Sequence, residues 1–200
     1  MPGRDALDAL LDEILDHPER RGELEERIED AFVQERAVMV LDMSGFSRTT
    51  QALGIVSFLL VIRRFRQLAV PLVSRRGGWV VMTEADNLFC LFESVDQAVA
   101  AGHEIVQGLE AANIALAKGE ELYVSIGIGW GPVLVIGEHG VMGSEVNLAS
   151  KLGEDIAGYG EILVTEAARA QLPEDEYVEE RLVAVSGLEL RHFAVETRVS

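Results

Sequence analysis

Two aspartates stand where predicted strands end, and their placement could support chemistry. Asp42 closes an apolar, β-branched run and precedes a Ser-Gly turn, a pattern that predicts a buried strand ending in a carboxylate. Asp86 falls in the turn predicted over residues 84–87, between apolar runs at 79–83 and 88–92 that predict a hairpin. Taken alone, an Asp before Ser-Gly is more often a turn former. Together, carboxylates on neighbouring strand ends suit Mg²⁺ or Mn²⁺, and they predict phosphoryl-type chemistry.

Two helices are predicted to support these strand ends. Apolar residues recur at helical spacing over residues 58–69, with Pro71 in the last turns and two glycines closing the segment. The predicted buried stripe consists of Phe58, Leu59, Ile62, Phe65, Leu68 and Ala69. Ser94 opens the second helix, and Gln97 three residues later completes a capping-box pattern.

The strand pattern continues toward the C-terminus. Residues 123–130 predict a strand that Gly131-Pro132 breaks, and residues 133–136 predict its resumption. Short strands alternating with helices of ten or more residues indicate an α/β fold with a mixed sheet.

The first 36 residues predict a separate helical appendage. Residues 5–16 carry an apolar stripe at helical spacing, and Pro18 suits the start of a second helix with Leu24, Ile28 and Phe32 on one face. The charged remainder is most simply a solvated surface. Alternatively, the helical pair supports a dimer or receives a signal.

Composition narrows the function classes. The chain has 200 residues, 48% of them apolar, which is enough for one principal core. A net charge of −17 argues against nucleic acid or an anionic membrane surface as the partner, because both bind basic protein surfaces. The single cysteine, Cys90, lies in an apolar strand and indicates a buried hydrophobe in a reducing compartment. With no targeting signal and no apolar run longer than residues 55–62, we expect a cytoplasmic protein without membrane insertion.

Three motifs in order carry a family resemblance. LDMSGFS at 41–47, TEADNLFCLF at 83–92 and GSEVNLASKL at 143–152 resemble the catalytic domain of class III nucleotide cyclases, the adenylate and guanylate cyclase family. The resemblance covers residues 37–195 and implies a cyclase-like domain at 37–200 after the appendage at 1–36. It implies a ferredoxin-like βαββαβ core with a mixed, mainly antiparallel sheet. It also implies a homodimer that converts a nucleoside triphosphate to a 3′,5′-cyclic nucleotide and pyrophosphate.

The resemblance also implies roles for individual residues. Asp42, the backbone carbonyl of Met43 and Asp86 would hold two Mg²⁺ or Mn²⁺ ions. The triphosphate would lie against Ser44, Gly45, Phe46 and Ser47, at a helix start whose free N–H groups suit phosphate. Asn147 of the other subunit would hold the ribose, and Lys151 would stabilise charge on the α-phosphate.

Several positions depart from the family pattern. Lys151 replaces the usual Arg, which keeps a cation but loses the planar fork; alternatively it is a surface Lys paired with Glu154 or Asp155. Met82 and Gly140 occupy the two base-selecting positions, where neither side chain can hydrogen-bond a purine edge. Further departures are Leu188, where the family has a second Lys of a Lys-Gly-Lys motif, and Ala85 in place of Gly.

Three functions therefore stay open at this point. The first is a metal-dependent cyclase with non-standard base selection. The second is a catalytically degenerate cyclase-homology module that dimerises or binds nucleotide as a regulator. The third is a phosphoacceptor signalling domain with Asp42 as acceptor, although the acidic cluster expected after an early strand is missing. A heterodimer with another cyclase-like chain could supply the missing base and phosphate contacts.

Overall fold

The structure is a computed structural model that describes residues 2–43, 54–116, 121–137, 140–174, 176, 178–185 and 188–196. Its elements follow in this order: α1 (Arg4–Asp16), a 3₁₀ turn (Pro18–Arg20), α2 (Arg21–Phe32), β1 (Val33–Met43), α3 (Ile55–Arg75), β2 (Trp79–Glu84), β3 (Asn87–Phe92), α4 (Val95–Asn113), β4 (Val124–Ile136), β5 (Gly140–Met142), α5 (Ser144–Ser150), a π-helical segment (Lys151–Ile156), β6 (Ile162–Thr165), α6 (Glu166–Arg169), β7 (Val178–Val185) and β8 (Leu188–Val195). Among these helices, none is both long enough and apolar enough to pass through a bilayer.

The strands form one mixed sheet in the order β2-β3-β1-β4-β6-β8-β7, and β5 pairs with β4 outside this path. Every pairing is antiparallel except that of β4 with β6. The predicted α/β fold with a mixed, mainly antiparallel sheet and a preceding helical segment is confirmed.

Strand β1 divides the core into two layers. Met39 and Leu41 pack with residues of α3 and α4 on one face of the sheet, whereas Val38 and Val40 pack with α5 and β2 on the other. Side chains alternate along a strand, so Asp42 belongs to the α5 face. This alternation decides which helix can reach the carboxylate.

Strand β4 is continuous, so the predicted break at Gly131-Pro132 is wrong. Both residues stay paired with β1, opposite Arg36 and Glu35. The backbone N–H of Trp130 points away from β1, where it donates to a side chain of α5. The nitrogen of Pro132, two residues later, faces the same side, between the stretches of β4 that pair with β6 and β5. Because no ladder hydrogen bond is required there, proline is tolerated.

Helix α3 confirms most of the predicted stripe. Ile62, Phe65 and Ala69 are buried, and the helix continues through Pro71 to Arg75. Leu59 was expected inside, but 57% of its surface is exposed. In the first turns of α3, Phe58 packs against the core, whereas Ile55, Val56, Leu59 and Leu60 are exposed.

The two predicted N-terminal helices are present and pack on the end of β4. Leu7 and Phe32 form a small cluster with Ile136, and the N–H of Gly137 donates to the Pro2 carbonyl at 2.9 Å. Helix α2 passes into β1 with no residue between them. The two N-terminal helices are therefore joined directly to the strand that carries Asp42.

The predicted cap of α4 is formed in one direction. Ser94 Oγ accepts from the Gln97 N–H at 3.3 Å. The Oε1 atom of Gln97 is buried without a hydrogen-bond partner among the described residues, so the return half of the capping box is not made.

Candidate functional site

Asp42 and Asp86 lie at the same end of the sheet. Asp42 is the penultimate residue of β1, and Asp86 belongs to the two-residue turn between β2 and β3. Leu41 pairs with Leu88, which brings the last residues of β1 beside this turn. Both predicted strand ends are confirmed, and the charges of the two carboxylates interact.

The turn that carries Asp86 is held from behind. Ala85 has φ 49°, a left-handed conformation that costs a residue with a Cβ about 1 kcal/mol. The Nη2 atom of Arg66 in α3 donates to the Ala85 carbonyl oxygen at 2.8 Å. Helix α3 thereby helps to fix the backbone next to Asp86.

The site carries surplus negative charge. The pKa of Asp42 is raised to about 6, mainly by burial and further by repulsion from Asp86, Glu154 and Asp155. The pKa of Glu154 is raised by burial and by repulsion from Asp155, Glu84 and Asp86, against a hydrogen bond with Ser150. Carboxylates from β1, the hairpin and the π-helical segment therefore face one another.

Sequence reasoning did not place Glu154 and Asp155 at this site. They were predicted only as partners of Lys151, because a spacing of three or four residues indicates a neighbour on the same helix and carries no information about distant strands. More than one hundred residues separate them from Asp42. Only the packing of the π-helical segment on the sheet brings the two regions together.

This donor set fits a hard divalent cation. Carboxylate oxygens are the ligands that Mg²⁺ and Mn²⁺ prefer, and the repulsion between Asp42 and Asp86 is relieved when positive charge enters. Among the residues that the structure describes, no group of three or more His, Cys, Asp or Glu side chains is arranged to hold a metal ion. With two carboxylates, most of the coordination would fall to the Met43 carbonyl, water and substrate.

Asn147 lies in α5, and Lys151 is the first residue of the π-helical segment that follows. Asn147 is exposed, and Lys151 follows one turn later, where its N–H donates to the Asn147 carbonyl. The ammonium of Lys151 forms an ion pair with Asp155. The alternative interpretation of Lys151, as a surface lysine paired with Glu154 or Asp155, predicted an ion pair of this kind.

Glu145 anchors α5 to the sheet. Its Oε2 atom accepts from the backbone N–H of Trp130 at 3.1 Å and from Thr165 Oγ1 at 2.8 Å. One carboxylate thus joins the helix to β4 and β6. The sequence offered no signal for this role beyond an acidic residue in the first turn of a helix.

Two glycines allow the π-helical segment to lie against the sheet. A Cβ on Gly127 would come within 2.6 Å of the Gly153 nitrogen, and a Cβ on Gly153 would lie 3.0 Å from the Val40 carbonyl oxygen. The first distance is shorter than real Cβ contacts, and the second is at the tight limit of those observed. Glycine at both positions therefore lets the two backbones approach closely.

Known proteins that are similar to this chain include nucleotide cyclases. No protein-family model matches the chain. A protein of Rhizobium meliloti (strain 1021) named "Putative adenylate cyclase 3" is 25% identical over 130 residues, which cover 65% of this chain and 22% of that protein. The chain thus matches less than a quarter of that relative's length.

Solved structures define the fold. The crystal structure of the guanylyl cyclase Cya2 matches 82% of this chain and 92% of its own, with a TM-score of 0.72 and 23% identity. The guanylate cyclase domain of RhGC from Catenaria anguillulae, solved in complex with GTP, matches 83% and 98% with a TM-score of 0.72 and 19% identity. This chain has the fold of a class III nucleotide cyclase catalytic domain. The resemblance predicted from the three motifs is confirmed at this level.

Within this cyclase fold, the two positions that the resemblance pairs for base selection lie on β2 and β5, strands that are not adjacent in the sheet but contact each other. Met82 of β2 packs against the cluster that contains Val141, and Gly140 precedes Val141 in β5. Neither position offers a polar side chain. The structure thus brings together the positions that the resemblance paired, while the roles of these residues stay predictions.

Other predicted contacts of the cyclase site fall outside the described residues. These are Ser44, Gly45, Phe46 and Ser47 for the triphosphate, together with Ser186 and Gly187. Leu188 opens β8 and pairs with Val185 at the base of a hairpin.

Proposed function

We propose that this chain is the catalytic domain of a metal-dependent nucleotide cyclase that converts a nucleoside triphosphate to its 3′,5′-cyclic monophosphate and pyrophosphate. The observation that carries this proposal is that Asp42 and Asp86 lie near each other at one end of a cyclase-type sheet. Two carboxylates that repel each other in a partly buried site cost stability unless they hold a cation. The proposed domain spans residues 37–200, and residues 1–36 form its appendage.

The residues of this chain would divide the work as follows. Asp42, the carbonyl of Met43 and Asp86 would hold two Mg²⁺ or Mn²⁺ ions, and residues 44–47 would offer backbone N–H groups to the triphosphate. When bound, such ions activate the ribose 3′-hydroxyl and neutralise charge on the phosphates. Asp42 must be ionised to serve as a ligand, so its raised pKa predicts that metal affinity rises with pH up to about 7.

The second half of the site would come from another subunit. The partner subunit's Asn147 would hold the ribose, and the partner subunit's Lys151 would meet the α-phosphate. The exposure of Asn147 supports this arrangement, because its side chain is open to a second molecule. The neutral Met82 and Gly140 predict relaxed or unusual base selection, since a purine edge would find no side-chain hydrogen bond there.

A second candidate is the catalytically degenerate cyclase-homology module. The observation that favours it is the ion pair that already occupies Lys151 within its own chain. Such a module would dimerise, or bind nucleotide weakly, without turnover. A heterodimer with a second cyclase-like chain would be a further way to complete the site.

A turnover assay separates these candidates. The purified protein is offered ATP, GTP, CTP and UTP with Mn²⁺ and, separately, with Mg²⁺, and the products are separated and identified. We expect a 3′,5′-cyclic product that disappears in Asp86→Ala and persists in Asp12→Ala, an exposed control in α1. Absence of product from all four nucleotides would contradict the catalytic proposal and favour the module.

A binding measurement tests the metal site without turnover. Asp42→Ala should abolish metal-dependent nucleotide binding, measured by calorimetry with a non-hydrolysable triphosphate. Unchanged binding in this variant would remove Asp42 from the site.

A further inference from the structure

A small cavity opens on the opposite face of the sheet from Asp42. Its volume is about 110 Å³, and its floor consists of Val106 and Leu109 from α4 with Leu122, two residues before β4, and Val124, the first residue of β4. All four side chains are at least 96% buried and belong to the core between the sheet and its helices. Unlike the carboxylate site, this cavity has a mainly apolar lining.

Two tyrosines stand at its mouth. The rings of Tyr123 and Tyr159 are stacked, with centroids 5.2 Å apart and planes 14° from parallel. They remain 41% and 62% exposed, so the outer ring surfaces face solvent. Aromatic rings held in this way offer flat apolar area together with an electron-rich face.

The charged side chain that lines the cavity is Glu110, at the exposed end of α4. A carboxylate beside aromatic faces favours a cationic group, which gains from both. The net charge of −17 adds attraction for cations over the whole molecule. An anionic ligand would be repelled at the same place.

The size of the cavity limits the apolar part of a ligand. An apolar cavity of about 150 Å³ holds benzene, so about 110 Å³ with an open mouth suits a single six-membered ring. We propose that this cavity binds a small arylalkylamine: its ring packs on Val106, Leu109 and the tyrosines, and its ammonium meets Glu110. This site is separate from the proposed cyclase reaction and does not depend on it.

The test uses 2-phenylethylamine and methyl-resolved NMR on the full chain without metal or nucleotide, so a failed cyclase assay would leave it unaffected. We expect a dissociation constant of about 1 mM, a usual affinity for a ligand of this size. Shifts should be confined to methyl groups of Val106, Leu109, Leu122 and Val124. Shifts centred instead on exposed apolar residues of α3, such as Ile55 and Leu59, would overturn the proposal.

Matched ligands and variants test each contact. Phenylacetate keeps the ring and reverses the charge, whereas butylamine keeps the charge and lacks the ring; both should bind at least about tenfold more weakly. Tyr159→Ala and Glu110→Gln, both at exposed positions, should each weaken binding about tenfold, while Leu182→Ala and Glu25→Gln should leave it unchanged. Equal affinity for phenylacetate, or unaltered binding by Tyr159→Ala, would overturn the assignment.

Discussion

The guanidinium of Arg66 holds the carbonyl oxygen of Ala85, at 2.8 Å, from a helix that is nineteen residues earlier in the chain. Ala85 is in the left-handed region, and it immediately precedes Asp86. A strained turn is therefore fastened to α3 at the residue next to a proposed metal ligand. Strain of this kind persists only where the surrounding structure enforces it.

Replacing Ala85 by glycine should stabilise the protein. Glycine adopts φ 49° without the Cβ clash, and this gain exceeds the greater freedom that glycine gives the unfolded chain. We expect the free energy of unfolding in urea to rise by about 0.5 kcal/mol. Ala111→Gly, on the exposed surface of α4, is the control and should lower it by about 1 kcal/mol. If both variants lose the same stability, Ala85 is not strained.

Stability of the metal-free protein should depend on Asp42 and pH. Because the folded-state pKa of Asp42 is about 6, against an ordinary 3.8, the folded protein binds more protons than the unfolded chain between these values. The free energy of unfolding should therefore fall as pH rises through this window. At pH 7.5, Asp42→Asn should be more stable than wild type by about 1 kcal/mol, allowing for solvent screening of a half-buried carboxylate.

Urea unfolding with a chelator present measures this difference at several pH values. The advantage of Asp42→Asn should shrink toward pH 4, where wild-type Asp42 is protonated in the folded state. Asp12→Asn, at an exposed site in α1, should follow the wild-type curve. Parallel curves for Asp42→Asn and wild type would mean that the Asp42 carboxylate is not perturbed.

Glu145→Ala should weaken the attachment of α5 to the sheet. The change leaves the Trp130 N–H and the Thr165 hydroxyl without their acceptor, which costs about 2 kcal/mol. Glu145→Gln retains a carbonyl oxygen and should cost less than about 1 kcal/mol. Hydrogen exchange at the Trp130 amide provides a local readout, since it should accelerate in the alanine variant only. If this amide exchanges in Glu145→Ala at the same rate as in wild type, Glu145 does not protect it.

Gly127→Ala should be strongly destabilising. Its Cβ would press on the backbone of the π-helical segment, with Gly153 N only 2.6 Å away, and we expect a loss of about 3 kcal/mol in the free energy of unfolding. Gly22→Ala is the matched control, because that Cβ would point into open space on α2 and should raise stability by about 0.5 kcal/mol. A tolerated Gly127→Ala would show that the segment can move off the sheet at little cost.

The sequence predicted those parts of the fold where local chemistry and tertiary packing agree. The apolar run before Asp42 and the hairpin around Asp86 needed only side-chain pattern and turn residues, and both proved correct. The break predicted at Gly131-Pro132 was wrong because a proline breaks a strand only where its missing N–H would have been hydrogen-bonded. The sequence pattern does not show which strands are neighbours. Leu59 misled because periodicity identifies a helix face without showing how far the core extends along it.

The residues of the candidate site also fall into two groups, those that local sequence patterns predict and those that depend on distant contacts. Asp42 and Asp86 could be found because each stands at a predicted strand end, and Lys151 was correctly offered an acidic neighbour four residues later. Glu154 and Asp155 as neighbours of Asp42, and Glu145 as an anchor, depend on contacts between distant segments. No local pattern encodes such contacts.

The meeting of Gly127 with Gly153 has a consequence for how this chain can diverge. A side chain at either position would lift the segment that carries Lys151, Glu154 and Asp155 away from the strand beside Asp42. Neither position can therefore drift alone, and descendants of this sequence should inherit the two glycines together or replace them in concert with a reshaped helix. In related sequences, the presence of both glycines would then indicate that the π-helical segment still lies against the sheet. The carboxylates of that segment and Asp42 would keep the same relative positions.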